Sequence, residues 1–438
     1  MTVFRTVRGM RDFLPEELVK RRFVEEKVRE CFQLYGYDEI ETPIIESFEL
    51  IAARIGDEIR HRMYAFKDHG GGRVAMRPEM TASVARVVAS KLRSEAKPLR
   101  LGYIANCFRY DNPQRGRYRE FWQAGFELFG SDRVEADAEI VVIFHDLMRR
   151  LGFRDFILKV GHIGILKGLL TAQGIQEKDQ NVVISLLDKR RIKKALTFLE
   201  ELDVSKDCRA VISKLVTLRG TDWAGIIVKG KELLGNNVRA LMALSNLEAV
   251  MRLAEEGGVT STLHVDLGFA RGLEYYTGLI FEVFVPSLRI ALGGGGRYDG
   301  LVELFGGEPT PAVGCAPGID RIVLAMQHEE LLVDRISSSS AICVVPVGEE
   351  QVSRALRVAA VLRQNGIPVQ TEVLGRSLSA ALSHADRKEA PFALIIGSKE
   401  AEKGTVTVRN MRTQTQREIP TLHVLDELLK DLPHSSSN

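Results

Sequence analysis

Leu101-Gly102-Tyr103-Ile104-Ala105-Asn106-Cys107-Phe108-Arg109-Tyr110 and, one basic loop later, Phe121-Trp122-Gln123-Ala124-Gly125-Phe126-Glu127-Leu128-Phe129 form the stretch on which the reading of this chain turns. Each run has the length and the aromatic and branched content of a strand. The connection carries Asn112, Pro113, Arg115, Gly116, Arg117 and Arg119, so the two runs read as an antiparallel pair. Side chains alternate along a strand. Phe121, Gln123, Gly125 and Glu127 therefore share one largely polar face, turned to a site or to solvent. Trp122, Ala124, Phe126 and Leu128 share the other, which is apolar and can pack. A basic loop between strands suits phosphate capture; taken alone it reads more simply as a solvated surface loop.

Downstream, Leu263–Leu267 and Leu279–Val285 read as strands, and Arg271-Gly272-Leu273-Glu274-Tyr275-Tyr276-Thr277-Gly278 lies between them. Arginine stays charged at working pH and presents a planar fork of donors to carboxylate or phosphate. Tyrosine offers an aromatic wall and a hydroxyl. Next comes Gly293-Gly294-Gly295-Gly296-Arg297-Tyr298-Asp299-Gly300, where missing side chains let a backbone approach a ligand. These residue types suit a small zwitterion beside a polyphosphate; a tight hairpin with turn glycines is the plainer alternative. Upstream, Pro15 suits the first turn of a helix. Val24, Val28, Cys31, Phe32 and Tyr35 continue that helix to Gly36, and a strand from Tyr37 stops at Pro43. In Arg77-Pro78-Glu79-Met80-Thr81 a helix begins at Met80 or Thr81, with Glu79 where the helix dipole favours a carboxylate.

The 438 residues suggest two to four domains. With 60 basic and 58 acidic residues the formal charge is +2, so nucleic-acid binding must rest on local patches. Five scattered cysteines without a C-x-x-C pair argue against a disulfide framework or a cysteine-rich zinc site and fit a reducing cytoplasm. The charged first thirty residues lack a signal-peptide core, and no apolar run is long enough to span a membrane. Ala136–Leu151 reads as a helix and Phe153–Val160 as a strand; from about 162 to 258 amphipathic helices dominate, and the compact basic cluster Asp188-Lys189-Arg190-Arg191-Ile192-Lys193-Lys194 could meet tRNA phosphates but reads more simply as a solvated helix face. Ala312–Met326 reads as strand, turn and helix with Arg321 in the first turns. Ser337–Ser340 reads as a linker, and beyond it strands alternate with helices as in a small α/β domain, with nearly balanced charge.

The string FRYDNPQRGRYREFWQAGFELFG (108–130) closely resembles the second motif of class II aminoacyl-tRNA synthetases. RGLEYYTG (271–278) and GGGGRYDGL (293–301) resemble the two histidine-binding motifs of the histidyl-tRNA synthetases, and RPEMT (77–81) matches that family's RPE-x-T element. Residues 312–326 resemble the third class II motif, with Asp320 where glutamate is usual and a less usual Pro317. The resemblance implies a class II catalytic core of α/β (α+β) type: a mainly antiparallel sheet flanked by helices, a helical insertion and a C-terminal α/β anticodon-binding domain. The implied domains are a core over 1–161 and 259–330, an insertion over 162–258, a linker over 331–340, an anticodon-binding domain over 341–432 and a tail over 433–438.

It also implies the reaction of a histidine–tRNA ligase. L-Histidine reacts with ATP to give histidyl-adenylate and pyrophosphate, and the histidyl group then passes to the 3′ end of tRNA(His). Under that implication Arg109 and Arg271 are catalytic, on the α-phosphate and the attacking carboxylate. Arg109, Arg117 and Arg321 bind ATP. Glu79, Thr81 and Gln123 hold the amino end of histidine, Glu127 accepts from one imidazole nitrogen and Tyr276 bonds the other, and Tyr275 is a further histidine-binding residue. Mg2+ is expected with ATP, no side chain being assigned to it, and a cytoplasmic homodimer is implied. The rival reading is a histidine-sensing regulatory subunit of ATP phosphoribosyltransferase. That relative typically lacks the C-terminal domain and parts of these motifs, whereas this chain has both.

Overall fold

The computed structural model describes residues 4–53, 56–260, 262–271, 275–288, 290–332 and 341–431. Gly272, Leu273 and Glu274, the serine run 337–340 and the tail 433–438 lie outside the described residues. The chain divides into two compact units, Met1–Ile336 and Ser337–Asn438.

In chain order the first unit has strands β1 (Asp38–Glu39), β2 (Ile45–Ser47), β3 (Ala65–Lys67), β4 (Arg73–Met76), β5 (Leu99–Phe108), β6 (Glu120–Phe129), β7 (Ile157–His162), β8 (Arg219–Gly220), β9 (Leu263–Asp266), β10 (Leu279–Phe284), β11 (Ala291–Arg297) and β12 (Ala312–Pro317). Nine of them form one sheet in the order β1-β5-β6-β12-β11-β10-β7-β9-β8. Only the β1–β5 and β7–β9 pairs are parallel; the rest are antiparallel. The sheet is thus mainly antiparallel, as the family resemblance implied.

The β5–β6 hairpin sets the geometry. Leu101 pairs with Glu127 and Cys107 with Phe121, so one face carries both the polar row of β6 and the apolar row of β5. On the other face Ala124, Phe126 and Leu128 are buried. Phe126 meets Phe32 and Tyr37 edge-on, at 4.9 and 5.4 Å between ring centroids. Phe32 belongs to the helix Pro15–Tyr35, whose Val24, Val28 and Cys31 are also buried; Gly36 closes it in the left-handed conformation. The helix Val134–Arg150 covers the same face with Ile140, Phe144 and Leu147. On the cavity-bearing face the helix Thr81–Ser90 packs Val84, Ala85 and Val88 against Leu101, Tyr103 and Ala105.

Three local readings differ from the sequence expectation. The strand from Tyr37 narrows to the two residues of β1, because the chain leaves the sheet soon after Ile40 donates to Gly102. The strand expected from Phe153 begins at Ile157; Phe153 and Phe156 are instead buried in the core. The glycines 293–296 form no turn: they are central residues of β11, paired on both sides. Between β7 and β9 the chain is largely helical, from Ile163–Ala172 to Val238–Glu256, and β8 from this stretch joins the sheet edge.

The second unit is a five-stranded sheet. Its strands are β13 (Ile342–Pro346), β14 (Val369–Thr371), β15 (Phe392–Ile396), β16 (Thr405–Asn410) and β17 (Gln416–Pro420). Their order is β14-β13-β15-β16-β17, the first three parallel and the last two antiparallel. Helices Val352–Gln364 and Val424–Asp431 bury Ala355, Ala359, Leu362 and Leu428 in one core with Ile342, Val344 and Leu394. Leu378–Arg387 contributes Ala381 and Ala385 to a second.

Candidate active site

A cavity of about 350 Å³ opens in the first unit, and all ten residues expected at the site line it: Glu79, Thr81, Arg109, Arg117, Gln123, Glu127, Arg271, Tyr275, Tyr276 and Arg321. They come from the loop after β5, from β6, from the start of the helix Thr81–Ser90 and the turn before it, from the helix Ile319–His328, and from the segment before β10. The size suits a compact ligand.

Its carboxylates are deeply buried. Glu79 accepts the backbone N–H groups of Thr81 and Ala82, at 2.8 and 3.0 Å, and so caps the helix Thr81–Ser90. Burial nevertheless raises its pKa, against those two donors. Glu127 has no exposed surface. It accepts from the Thr81 hydroxyl at 2.8 Å and from the Tyr298 hydroxyl. Its place depends on Gly314, the residue opposite on β12: a Cβ there would stand 1.8 Å from Glu127 Oε2. Burial pushes the Glu127 carboxyl up to about 8 despite the Tyr298 and Thr81 hydrogen bonds, with Glu79 adding to the rise.

That rise has a measurable consequence. A carboxyl with a higher pKa in the folded than in the unfolded protein keeps a proton that the unfolded chain has released. Stability then falls as pH climbs from the ordinary carboxylate value toward the folded one, and levels off above it. The ligand-free protein should therefore lose melting temperature between about pH 5 and 8 more steeply than the Glu127→Gln variant. Parallel pH profiles in the two proteins, measured by thermal denaturation, would contradict this.

The cations of the cavity are arranged differently. Arg109 donates through Nε to the Pro78 carbonyl at 2.8 Å and lies 5.1 Å from the Phe121 ring centroid. Arg321 donates to the carbonyls of Gly116 and Ala291, at 3.0 and 2.8 Å. Arg271 donates to the Phe281 carbonyl at 2.6 Å. Gly294 makes room for that guanidinium, since a Cβ there would stand 1.8 Å from Nη1. Among the described residues no ion pair involves Arg109, Arg271 or Arg321. Burial lowers the pKa of Arg321, and the charges of Arg109 and Arg117 lower it further. Clustered guanidiniums without carboxylate partners form a receptor for an anion. Arg117 is the exception: it forms a two-pronged pair with Asp111, at 2.7 and 3.1 Å.

Gln123 accepts from the Cys107 thiol at 3.4 Å. Tyr275 and Tyr276 stack edge-on at 4.9 Å, and Tyr275 meets Tyr298 at 5.8 Å. Tyr298, in the glycine-rich motif, has no role assignable from sequence alone. Its signal was position: alternation separates it from Arg297, which turns to Asp137 at 2.9 Å instead. Asp188 also lines the cavity, from the helical stretch to which no site residue was assigned. The neighbouring Lys189, Arg190, Arg191, Lys193 and Lys194 are exposed, in keeping with a solvated surface.

A family model described as histidyl-tRNA synthetase matches residues 9–322.

The chain belongs to the histidyl-tRNA synthetase family.

A second model, an anticodon binding domain, matches residues 341–431. The histidine–tRNA ligase of Methanocaldococcus jannaschii is 41% identical over 95% of this chain and 97% of its own. Among solved structures, an ATP phosphoribosyltransferase regulatory subunit/histidyl-tRNA synthetase from Bacillus halodurans aligns with TM-score 0.77 and 28% identity, covering 90% of this chain and 98% of that one. Apo histidyl-tRNA synthetase from S. aureus aligns with TM-score 0.71 and 26% identity, covering 97% and 99%.

Proposed function

We propose that the cavity of the first unit is where this chain, a histidine–tRNA ligase by family, activates histidine and charges tRNA. A carboxylate oxygen of L-histidine attacks the α-phosphorus of ATP and pyrophosphate leaves. A terminal ribose hydroxyl of tRNA(His) then attacks the carbonyl carbon of the adenylate and AMP leaves. Phosphoryl chemistry of this kind needs positioning and charge neutralisation more than a strong base.

The observation that carries the assignment is the shared cavity: three guanidiniums without carboxylate partners among the described residues stand with a buried, hydroxyl-bound carboxylate. Arg109 and Arg271 bind the α-phosphate and the reacting carboxylate. Arg321 binds the distal phosphates, with Arg117 once it exchanges Asp111 for them. Glu79, Thr81 and Gln123 face the ammonium group, and Glu127 with Tyr275 and Tyr276 receives the imidazole. Mg2+ would supply further charge neutralisation on the phosphates. Asp111 and Asp320, carboxylates of the cavity, are each engaged by arginine, which fits a metal arriving with ATP better than a protein-built cage.

The second unit provides the anticodon contact. No helix of the described residues is long and apolar enough to cross a membrane, and all five cysteines are free and buried, which supports a reducing cytoplasm. Leu34, Ile44 and Ile45 are exposed and supply apolar surface for a homodimer.

Amino-acid-dependent exchange of pyrophosphate into ATP, run with each standard amino acid, tests the reading. Exchange with histidine alone is expected. Tight histidine binding without exchange would favour the regulatory reading instead.

A further inference from the structure

The segment before the first helix was read only as a helix start, yet it braces the arginine loop. The Gly9 carbonyl accepts the Arg119 N–H at 2.8 Å. Gly9 has φ +87, and a Cβ there would stand 2.8 Å from Arg119 Cγ and 2.9 Å from Pro113 Cγ. The Arg11 guanidinium lies 3.3 Å from the Tyr118 ring centroid and 4.7 Å from that of Phe13. Arg21, from the first helix, lies 4.8 Å from Phe13 and 4.1 Å from Trp122. The result is an alternating stack, Tyr118–Arg11–Phe13–Arg21–Trp122. Asp320 links Arg11 to the far end: one oxygen pairs with Arg11, and the other accepts the Trp122 backbone N–H at 2.6 Å. Tyr118, Trp122 and Asp320 all line the cavity.

We propose that Arg11 is a positioning residue for ATP, holding the loop that presents Arg117. Contacts from residues 9–13 fall on Tyr118 and Arg119, immediately after Arg117, and so set the backbone from which that side chain projects. A guanidinium between two rings with a carboxylate at its edge has a defined plane. An ammonium cannot reproduce it, because it is a point charge without a stacking face. This inference rests on the reading that Arg117 and Arg321 bind the phosphates of ATP.

Histidine-dependent pyrophosphate exchange tests it in Arg11→Lys, Arg11→Gln and Phe13→Leu, with melting temperatures measured alongside. Losing one or two half-buried cation–π contacts together with the Asp320 pair should raise the KM for ATP about tenfold. The KM for histidine and the kcat at saturating ATP should stay within about twofold of wild type. Phe13→Tyr, which keeps the ring, should behave as wild type. If Arg11 variants do not fold, Phe13→Leu and Phe13→Tyr carry the test. An unchanged KM for ATP, or losses in kcat and both KM values that simply follow the melting temperature, would overturn the proposal. Arg117→Ala is the control. If it raises the KM for ATP while the Arg11 and Phe13 variants do not, the positioning role alone fails; if it does not, the phosphate reading of the loop fails.

Discussion

Arg271→Ala is expected to lower histidine-dependent pyrophosphate exchange by at least about 10²–10³-fold, the usual cost of removing a preorganised donor to developing charge. The guanidinium is already aimed before substrate arrives. One nitrogen is fixed on the Phe281 carbonyl at 2.6 Å, and Gly294 leaves the space it occupies. No ion pair with it occurs among the described residues, so no carboxylate has to be displaced. A cation held this way strengthens its contact as the reacting carboxylate and the α-phosphate share charge in the transition state, and the adenylate-forming step should suffer most. Arg271→Lys should restore little, since a point charge cannot bridge two oxygens as a planar fork does. Near-normal exchange in a folded Arg271→Ala protein would remove this residue from the mechanism.

Glu127→Ala is the second large effect. The side chain is fully buried and is the acceptor for the Thr81 and Tyr298 hydroxyls. Its removal leaves those groups and the imidazole nitrogen without their partner. A ring N–H of bound histidine favours the ionised carboxylate over the protonated form of the ligand-free site, and a hydrogen bond involving a charged group typically contributes about 1.5–3 kcal/mol, so the KM for histidine should rise about 100-fold, with the KM for ATP little changed. Glu127→Gln keeps the volume and one acceptor but loses the capacity for charge, and should fall between, at about tenfold. The same kinetic assay, with histidine varied at saturating ATP, decides. A histidine KM within about twofold of wild type in the alanine variant would exclude Glu127 from ring recognition.

Much of the architecture was legible because its signals are local. The alternation of Phe121–Phe129 placed Gln123 and Glu127 on one face and Ala124, Phe126 and Leu128 on the other, and β6 keeps that division. The spacing of Val24, Val28, Cys31 and Phe32 gave one buried helix face ending at Gly36. Glu79 was read as a helix-start carboxylate and accepts the first-turn N–H groups. Glycines 293–295 do line the cavity, in keeping with a backbone open to a ligand, but as residues of a strand and not of a turn, because glycine is informative only through what approaches it. In β11 those approaches come from Arg271 and Tyr276, which precede β10, and from Cys315, on β12.

By itself the sequence determined the kinds of group available: arginine forks, carboxylates, paired tyrosines and a strand pair with one polar row. It also determined most of the secondary structure around them, such as β6 and the helix Thr81–Ser90, because period and capping act within a few residues. Only the tertiary structure decided which charges stay unneutralised. Arg117 finds Asp111 and Arg297 finds Asp137, whereas Arg109, Arg271 and Arg321 meet backbone carbonyls. The stack from Tyr118 to Trp122 was likewise out of reach, since cation–π and ion-pair energies depend on distances between segments far apart in the chain.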